Sequence, residues 1–80
     1  MPATHFLRGH VIKHGSSVDE DGNPVITLVL KQPEGGDRQV IASGRVAQVA
    51  ATLLSPGTEL IVTGTLRDDG VLHAISVSEL

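Results

Sequence analysis

A single segment of helical pattern, residues 45–54, lies between three predicted strands and two more, and it limits the folds open to this chain of 80 residues. Its apolar side chains recur at i, i+3, i+4 and i+7, the spacing of one helix face, at Val46, Val49, Ala50 and Leu53. Ser43 or Gly44 can cap its start, and Ser55-Pro56-Gly57 cannot continue it. A helix of about ten residues is marginal alone in water. We therefore expect it to pack on the strands.

The rest of the chain has the alternation of apolar and polar residues that is typical of strands. Five strands are predicted, over residues 5–14, 25–32, 38–43, 59–67 and 71–80. Gly9, inside the first strand, indicates a bend or a close approach of two backbones. Residues 15–24 are predicted to form a loop, and Asp68-Asp69-Gly70 a hairpin turn.

The position of the helix among the strands favours a closed sheet. An open sheet of five short strands would leave two edges free to pair with other chains. A barrel removes most of that liability, and a short helix between strands three and four can cover its apolar end. The pattern therefore predicts an all-β fold with one domain over residues 1–80. It is a small five-stranded Greek-key barrel of the oligonucleotide/oligosaccharide-binding (OB) type, with one capping helix between strands 3 and 4.

Three short motifs in this layout resemble the single-stranded-DNA-binding protein family. In that family a strand ends in Phe-Gly before a helix, and Ser43-Gly44 stands at this place with Ser instead of Phe. A Leu-x-x-Gly motif follows the family's helix, as residues 54–57 do here. The family's next strand ends in Val-x-Gly-x-Leu, which residues 62–66 match. The first strand is also similar to this family, and the last strand to its dimeric relatives, the PriB type of primosomal replication protein.

The resemblance implies an accessory protein of DNA replication, repair or restart that binds single-stranded DNA, with RNA left open. It also implies replication or repair proteins as partners and a homodimer or homotetramer. Two features of the family are missing. Phe6 is the only aromatic residue, where the family has several stacking aromatics, and the family's acidic C-terminal tail is not present. The PriB type likewise lacks that tail, which favours a short accessory protein of its kind.

The candidate binding residues come from the first three strands, the usual ligand face of this fold. The basic residues there are Arg8, Lys13, Lys31 and Arg38. Contacts from these residues to phosphates would make binding depend on salt. Phe6 shares a strand face with His10, so it offers one stacking site. A histidine gains positive charge in mild acid, so His10 would strengthen binding there. Other interpretations stay open: solvated charges at strand edges, and a Phe6 that fills the barrel or a subunit contact.

Charge and composition count against a tight nucleic-acid site. The formal net charge is -3, and acidic residues occupy the two loops that flank the binding groove in this fold. These are Asp19, Glu20, Asp21, Asp68 and Asp69. Each stacked base is worth about 1–3 kcal/mol, so one aromatic residue predicts modest affinity. A second hypothesis therefore stays open, a protein-interaction or oligomerisation module without nucleic-acid binding, using the faces around Val25, Val29 and Ile41.

The sequence has no pattern for a cofactor, a metal ion or catalysis. There is no Cys, and on a strand His10 and His14 would lie roughly 13 Å apart. A calcium-loop-like start at Asp19 lacks the Gly and Glu required at positions six and twelve, which are Pro24 and Leu30. Neither a Gly-x-Ser-x-Gly elbow nor a glycine-rich phosphate loop occurs. The sequence thus predicts a binding module and not an enzyme.

The apolar stretches and the N-terminal residues bear on location. No stretch approaches the ~20 apolar residues of a membrane span, and no basic region followed by an apolar block opens the chain. A cytoplasmic location without membrane contact is expected. A chain this short has a thin core, so additional stability is expected from association into a homo-oligomer.

Overall fold

The computed structural model describes residues 4–55 and 57–80. Its elements are β1 Thr4–Val18, β2 Pro24–Lys31, β3 Asp37–Ser43, α1 Arg45–Ala51, β4 Glu59–Leu66 and β5 Leu72–Glu79. The strands form a closed barrel in the order β1-β2-β3-β5-β4. All neighbouring pairs are antiparallel except β3 and β5. This order, with one helix between β3 and β4, confirms the predicted OB fold.

β1 is longer than predicted because it pairs with two neighbouring strands. Residues 4–10 pair with β4, and residues 10–18 pair with β2. The register shifts between Val11 and Lys13, so Ile12 is an extra residue that bends the strand where it changes partner. The predicted loop over residues 15–24 is shorter than expected, residues 19–23, because residues 15–18 continue β1 as far as the pair Val18 and Pro24.

The barrel core is formed by alternate residues of every strand, as the sequence predicts. Leu7, Gly9 and Val11 on β1 are buried, and Arg8 and His10 between them face outward. The full core consists of Leu7, Val11, Ile26, Leu28, Leu30, Val40, Ala42, Ala47, Ala50, Leu60, Val62, Leu72 and Val77. All of it is aliphatic, because Phe6 lies outside the core with 77% of its surface exposed. The interpretation of Phe6 as a residue that fills the barrel was therefore wrong.

Helix α1 packs against β2, β3 and β5 at one end of the barrel, where the prediction placed it. Its buried side chains are those of Ala47 and Ala50, whereas Val49, predicted to face the core, is 45% exposed. Small side chains at the contact allow the helix backbone to approach the barrel closely. Gly44 occupies the N-cap position with φ of 62° and makes no side-chain cap hydrogen bond. The helix ends at Ala51, earlier than predicted.

Pro56, which the sequence predicts to prevent continuation of the helix, lies outside the described residues, as do residues 1–3. Within the described residues, no helix is long and apolar enough to cross a membrane.

A bulge in β5 changes which of its residues face the core. Thr63 pairs with Ser76 and Gly64 with Ala74, so Ile75 is an extra residue with 59% of its surface exposed. Because of this insertion Val77 is buried, although simple alternation places it on the face of His73. His73 itself is half-buried.

Candidate nucleic-acid interface

The outward side of β1, β2 and β3 carries three of the six predicted binding residues, His10, Lys13 and Lys31. Pairing across the three strands places Lys13 opposite Val29 and Val29 opposite Gln39. The neighbouring row joins His10 to Lys31 and Lys31 to Asp37. All of these side chains point away from the core, because the residues that alternate with them, Leu28 and Leu30, are fully buried. We name this surface the outer face.

A groove of about 350 Å³ runs along the outer face. It is lined by Lys13, His14, Gly15, Thr27, Leu28, Val29 and Gln39. Thr27 and Val29 are half-buried and form its floor, while Lys13 and Gln39 stand exposed at its two sides. The groove is thus a trough of mixed polar and apolar lining with one lysine at its edge.

Gly15 keeps the floor of this groove open. A β-carbon at this position would lie 3.2 Å from Oγ1 of Thr27, whose hydroxyl donates a 3.5 Å hydrogen bond to the carbonyl oxygen of Gly15. Sequence reasoning missed Gly15 as a groove residue because it ended β1 at His14. It missed Thr27 and Gln39 because it sought only basic residues on the second and third strands. The paired register of β1 with β2, which the sequence does not display, is the signal that identifies them.

Arg8 and Phe6 lie on the other half of β1, beside β4. Phe6 is paired with Thr63 and Arg8 with Ile61. Nη2 of Arg8 lies 3.3 Å from Oε2 of Glu59, with the side chains 57% and 37% exposed. This ion pair offsets part of the positive charge of Arg8. The remaining positive charge of the outer face comes from Lys13 and Lys31.

Arg38 does not share a face with Lys31. It is paired with the buried Leu30, so its side chain starts on the inner side of β3, at the end of the barrel away from α1. It is half-buried, and its Nη1 donates a 3.4 Å hydrogen bond to the carbonyl oxygen of Gly70 in the β4–β5 turn. The six predicted site residues are therefore not brought together: Lys13, Lys31 and His10 share the outer face, and Arg38 lies elsewhere.

The two acidic turns lie at opposite ends of the outer face. The β1–β2 turn, residues 19–23, lies beside the end of β3, and the β4–β5 turn contacts Arg38 near the start of β3. In the first turn, Oδ1 of Asp19 accepts 2.9 Å hydrogen bonds from the amides of Asp21 and Asn23. In the second, Oδ1 of Asp69 accepts one of 3.0 Å from Val71. Both carboxylates are thus used to stabilise their own turns.

The histidines form no cluster. His10 lies on the outer face and is paired with Lys31 on one side and with Glu59 on the other. His14 lines the groove and is paired with Leu28. No group of three His, Cys, Asp or Glu side chains that could hold a metal ion occurs in residues 4–55 and 57–80.

The fold is similar to that of several solved bacterial proteins. The single-stranded-DNA-binding domain of a Synechococcus protein superposes with a TM-score of 0.85 at 23% identity, over 96% of this chain and 93% of that one. The N-terminal domain of PriB from Thermoanaerobacter tencongensis, described as dimeric, gives 0.80 at 21% identity, over 96% and 94%. The single-stranded-DNA-binding protein of Thermus aquaticus gives 0.84 at 23% identity, over 96% of this chain but only 39% of the longer one.

No protein-family model matches the chain, and no curated protein matches its sequence. At these identities the structural similarity establishes the OB fold.

Proposed function

We propose that this chain is a single-stranded-DNA-binding module, and that it holds the strand in the groove of the outer face. The groove itself supports the proposal most directly. Its half-buried floor at Thr27 and Val29 can contact bases, and exposed Lys13 at its edge can contact phosphates. Proteins that bind single strands without sequence preference combine these two elements, a cationic track for the backbone and a surface for the bases.

Lys31 extends the cationic edge beyond the groove. It lies two residues along β2 from Val29, on the same face, so it is about 7 Å beyond Val29 along the strand. His10 stands opposite Lys31, at the side of this cationic edge. Arg8 is a weaker candidate because Glu59 accompanies it.

The affinity we propose is modest. Two exposed lysines release few counterions, and no aromatic residue stands in the groove. The carboxylates of Glu20 and Asp68 are exposed in the two turns beside the outer face and repel phosphates. Weak, salt-sensitive binding of DNA is suited to an accessory role in replication, repair or restart. The names of the structural neighbours support such a role. Binding to exposed single strands, without catalysis, would take place in the cytoplasm.

Association into a homo-oligomer is part of the proposal. Residues 13–18 of β1 pair with β2 along one edge, and no other strand in the described part of the chain pairs with their second edge. The nearby apolar side chains of Ile12 and Val18 are 48% and 69% exposed. An open strand edge beside exposed apolar residues is a surface suited to a second copy. The dimeric PriB domain among the structural neighbours supports the same conclusion.

Fluorescence anisotropy with a labelled oligo-dT tests the function. We expect binding at low salt that weakens steeply as salt rises, since phosphate contacts release counterions. Absence of binding at low salt, in a sample that sedimentation shows to be folded and of defined oligomeric state, would contradict the proposal. That result would favour the protein-interaction module instead.

A further inference from the structure

A second cavity opens at the end of the barrel that α1 leaves uncovered. It measures about 70 Å³ and is lined by His5, Phe6, Leu7, Gln32, Arg38, Leu66 and Leu72. Leu7 and Leu72 are 5% and 2% exposed, so the inner wall of the cavity is the closed core of the barrel. We name this cavity the open mouth. The cavity is closed at its inner end, so a ligand group can enter it but cannot pass through it. A strand can, in contrast, continue along the groove of the outer face.

The chemistry of the open mouth suits an anion beside an aromatic plane. Arg38 is half-buried there, and its guanidinium is held in position by the carbonyl oxygen of Gly70. One hydrogen bond to a neutral carbonyl leaves most of the five guanidinium donors for a ligand. None of the seven lining residues carries a carboxylate. Asp37, next in sequence, is paired with Lys31 on the outer face and so lies on the other side of β3.

Phe6 stands at the rim of the open mouth with 77% of its surface exposed. A nucleobase can stack on such an exposed ring from outside the cavity. A phosphate group is small enough to approach Arg38, and the half-buried amide of Gln32 can donate a further hydrogen bond. Together, these residues match one nucleotide, with its base outside on Phe6 and its phosphate inside at Arg38.

The open mouth lies on the continuation of the groove. Val29 borders the groove, Lys31 follows it on the outer face, and Gln32 lines the open mouth. Three residues of extended chain span about 10 Å, so a strand in the groove can reach the open mouth by passing Lys31.

From this arrangement we propose that the open mouth binds the phosphate-bearing terminal nucleotide of a single strand. The inference rests on the proposed function and adds a preference for strand ends. Arg38 holds the terminal phosphate, Phe6 stacks the terminal base, and the dead end at Leu7 and Leu72 excludes a strand that continues in both directions.

The test compares short oligo-dT probes that carry a 5′-phosphate, a 3′-phosphate or neither, with free thymidine monophosphate as a competitor. We expect one of the phosphorylated probes to bind about five- to tenfold more tightly at low salt than the unphosphorylated probe. Arg38→Gln should abolish that ratio. Lys13→Gln, the matched control in the groove, should weaken all three probes by the same factor and leave the ratio unchanged. Phe6→Leu provides a second variant, at an exposed site where folding is not at risk, and it should reduce the preference as well.

The outcomes distinguish binding at the open mouth from binding in the groove. Equal binding of all three probes to the unaltered protein overturns the proposal that the open mouth binds strand ends. It leaves the proposal that the groove binds single strands unaffected. Binding of thymidine monophosphate as tightly as the phosphorylated probe, in an Arg38-dependent manner, supports the open mouth but assigns it to free nucleotides and contradicts the strand-end proposal. Failure of every probe to bind overturns the open mouth and the proposed function together.

Discussion

The carbonyl oxygen of Lys31 lies 2.6 Å from the position that a β-carbon on Gly9 would occupy. Gly9 precedes His10, the residue at which β1 leaves β4 and begins to pair with β2. The curled β1 and the end of β2 approach so closely there that two backbones are in contact. The barrel can close at this point only because position 9 has no side chain. Gly64 meets the backbone of His73 in the same way at the bulge in β5.

Gly9→Ala should therefore destabilise the protein by about 1–3 kcal/mol, the usual cost of forcing extra volume into a packed site. The neighbour is backbone, so it cannot rotate away. Gly15→Ala is the matched control, since its nearest neighbour is the rotatable hydroxyl of Thr27 at 3.2 Å. Urea unfolding followed by circular dichroism measures both. Equal midpoints for the two variants would contradict the account of barrel closure.

The contact between α1 and the barrel predicts a difference between two neighbouring helix positions. Ala47 is 1% exposed, so Ala47→Leu should lower the free energy of unfolding by about 1–3 kcal/mol through overpacking. Val49 is 45% exposed, so Val49→Leu should change it by less than about 0.5 kcal/mol. Thermal unfolding of the two variants checks this. A larger loss at position 49 would mean that the helix presents the predicted face to the core.

The fold was predictable because each strand alternates and the turns are marked by glycine. The element order alone then favoured a closed barrel with a helical cover. The errors came from contacts that local pattern does not contain. Residues 15–18 have the composition of a loop but pair with β2. Val49 fits the apolar stripe, yet the close packing of the helix selects the smaller Ala47.

The candidate site was predictable only in part, for a related reason. Lys31 and His10 reach one face because they occur on strands that the alternation identifies, whereas Lys13 joins them only because the bulge at Ile12 shifts the alternation of β1. Arg38 is one residue out of phase with that face, and only the pairing of β3 with β2 shows this. Gly15 was overlooked as part of the site because its role depends on Thr27 across the sheet. Positions defined by a partner strand require the register, which a single sequence does not supply.

The proposed phosphate contacts predict a change in the salt dependence of DNA binding. Lys13→Gln and Lys31→Gln should each weaken binding of oligo-dT and reduce the slope of log K against log salt by about 0.7, the value for one phosphate of a single strand. Arg45→Gln removes the same charge from the exposed surface of α1, away from the outer face, and serves as the control. Anisotropy titrations over a range of salt concentrations give the slopes. Equal slopes for all three variants would show that net charge, and not the outer face, determines binding.

The missing aromatic platform predicts a gain of affinity on adding one. Gln39 is exposed at the side of the groove and paired with Val29, so an indole at position 39 would lie over the groove floor. Gln39→Trp should tighten binding by about 1–3 kcal/mol, or roughly 5- to 150-fold, through stacking on one base. Because the chain contains no Trp, the new indole is also the only one, and its fluorescence should be quenched when DNA binds. Gln48→Trp places the same group on the exposed surface of α1 and should change neither affinity nor fluorescence on adding DNA. If both variants bind and quench alike, the strand does not lie in the groove between Lys13 and Gln39.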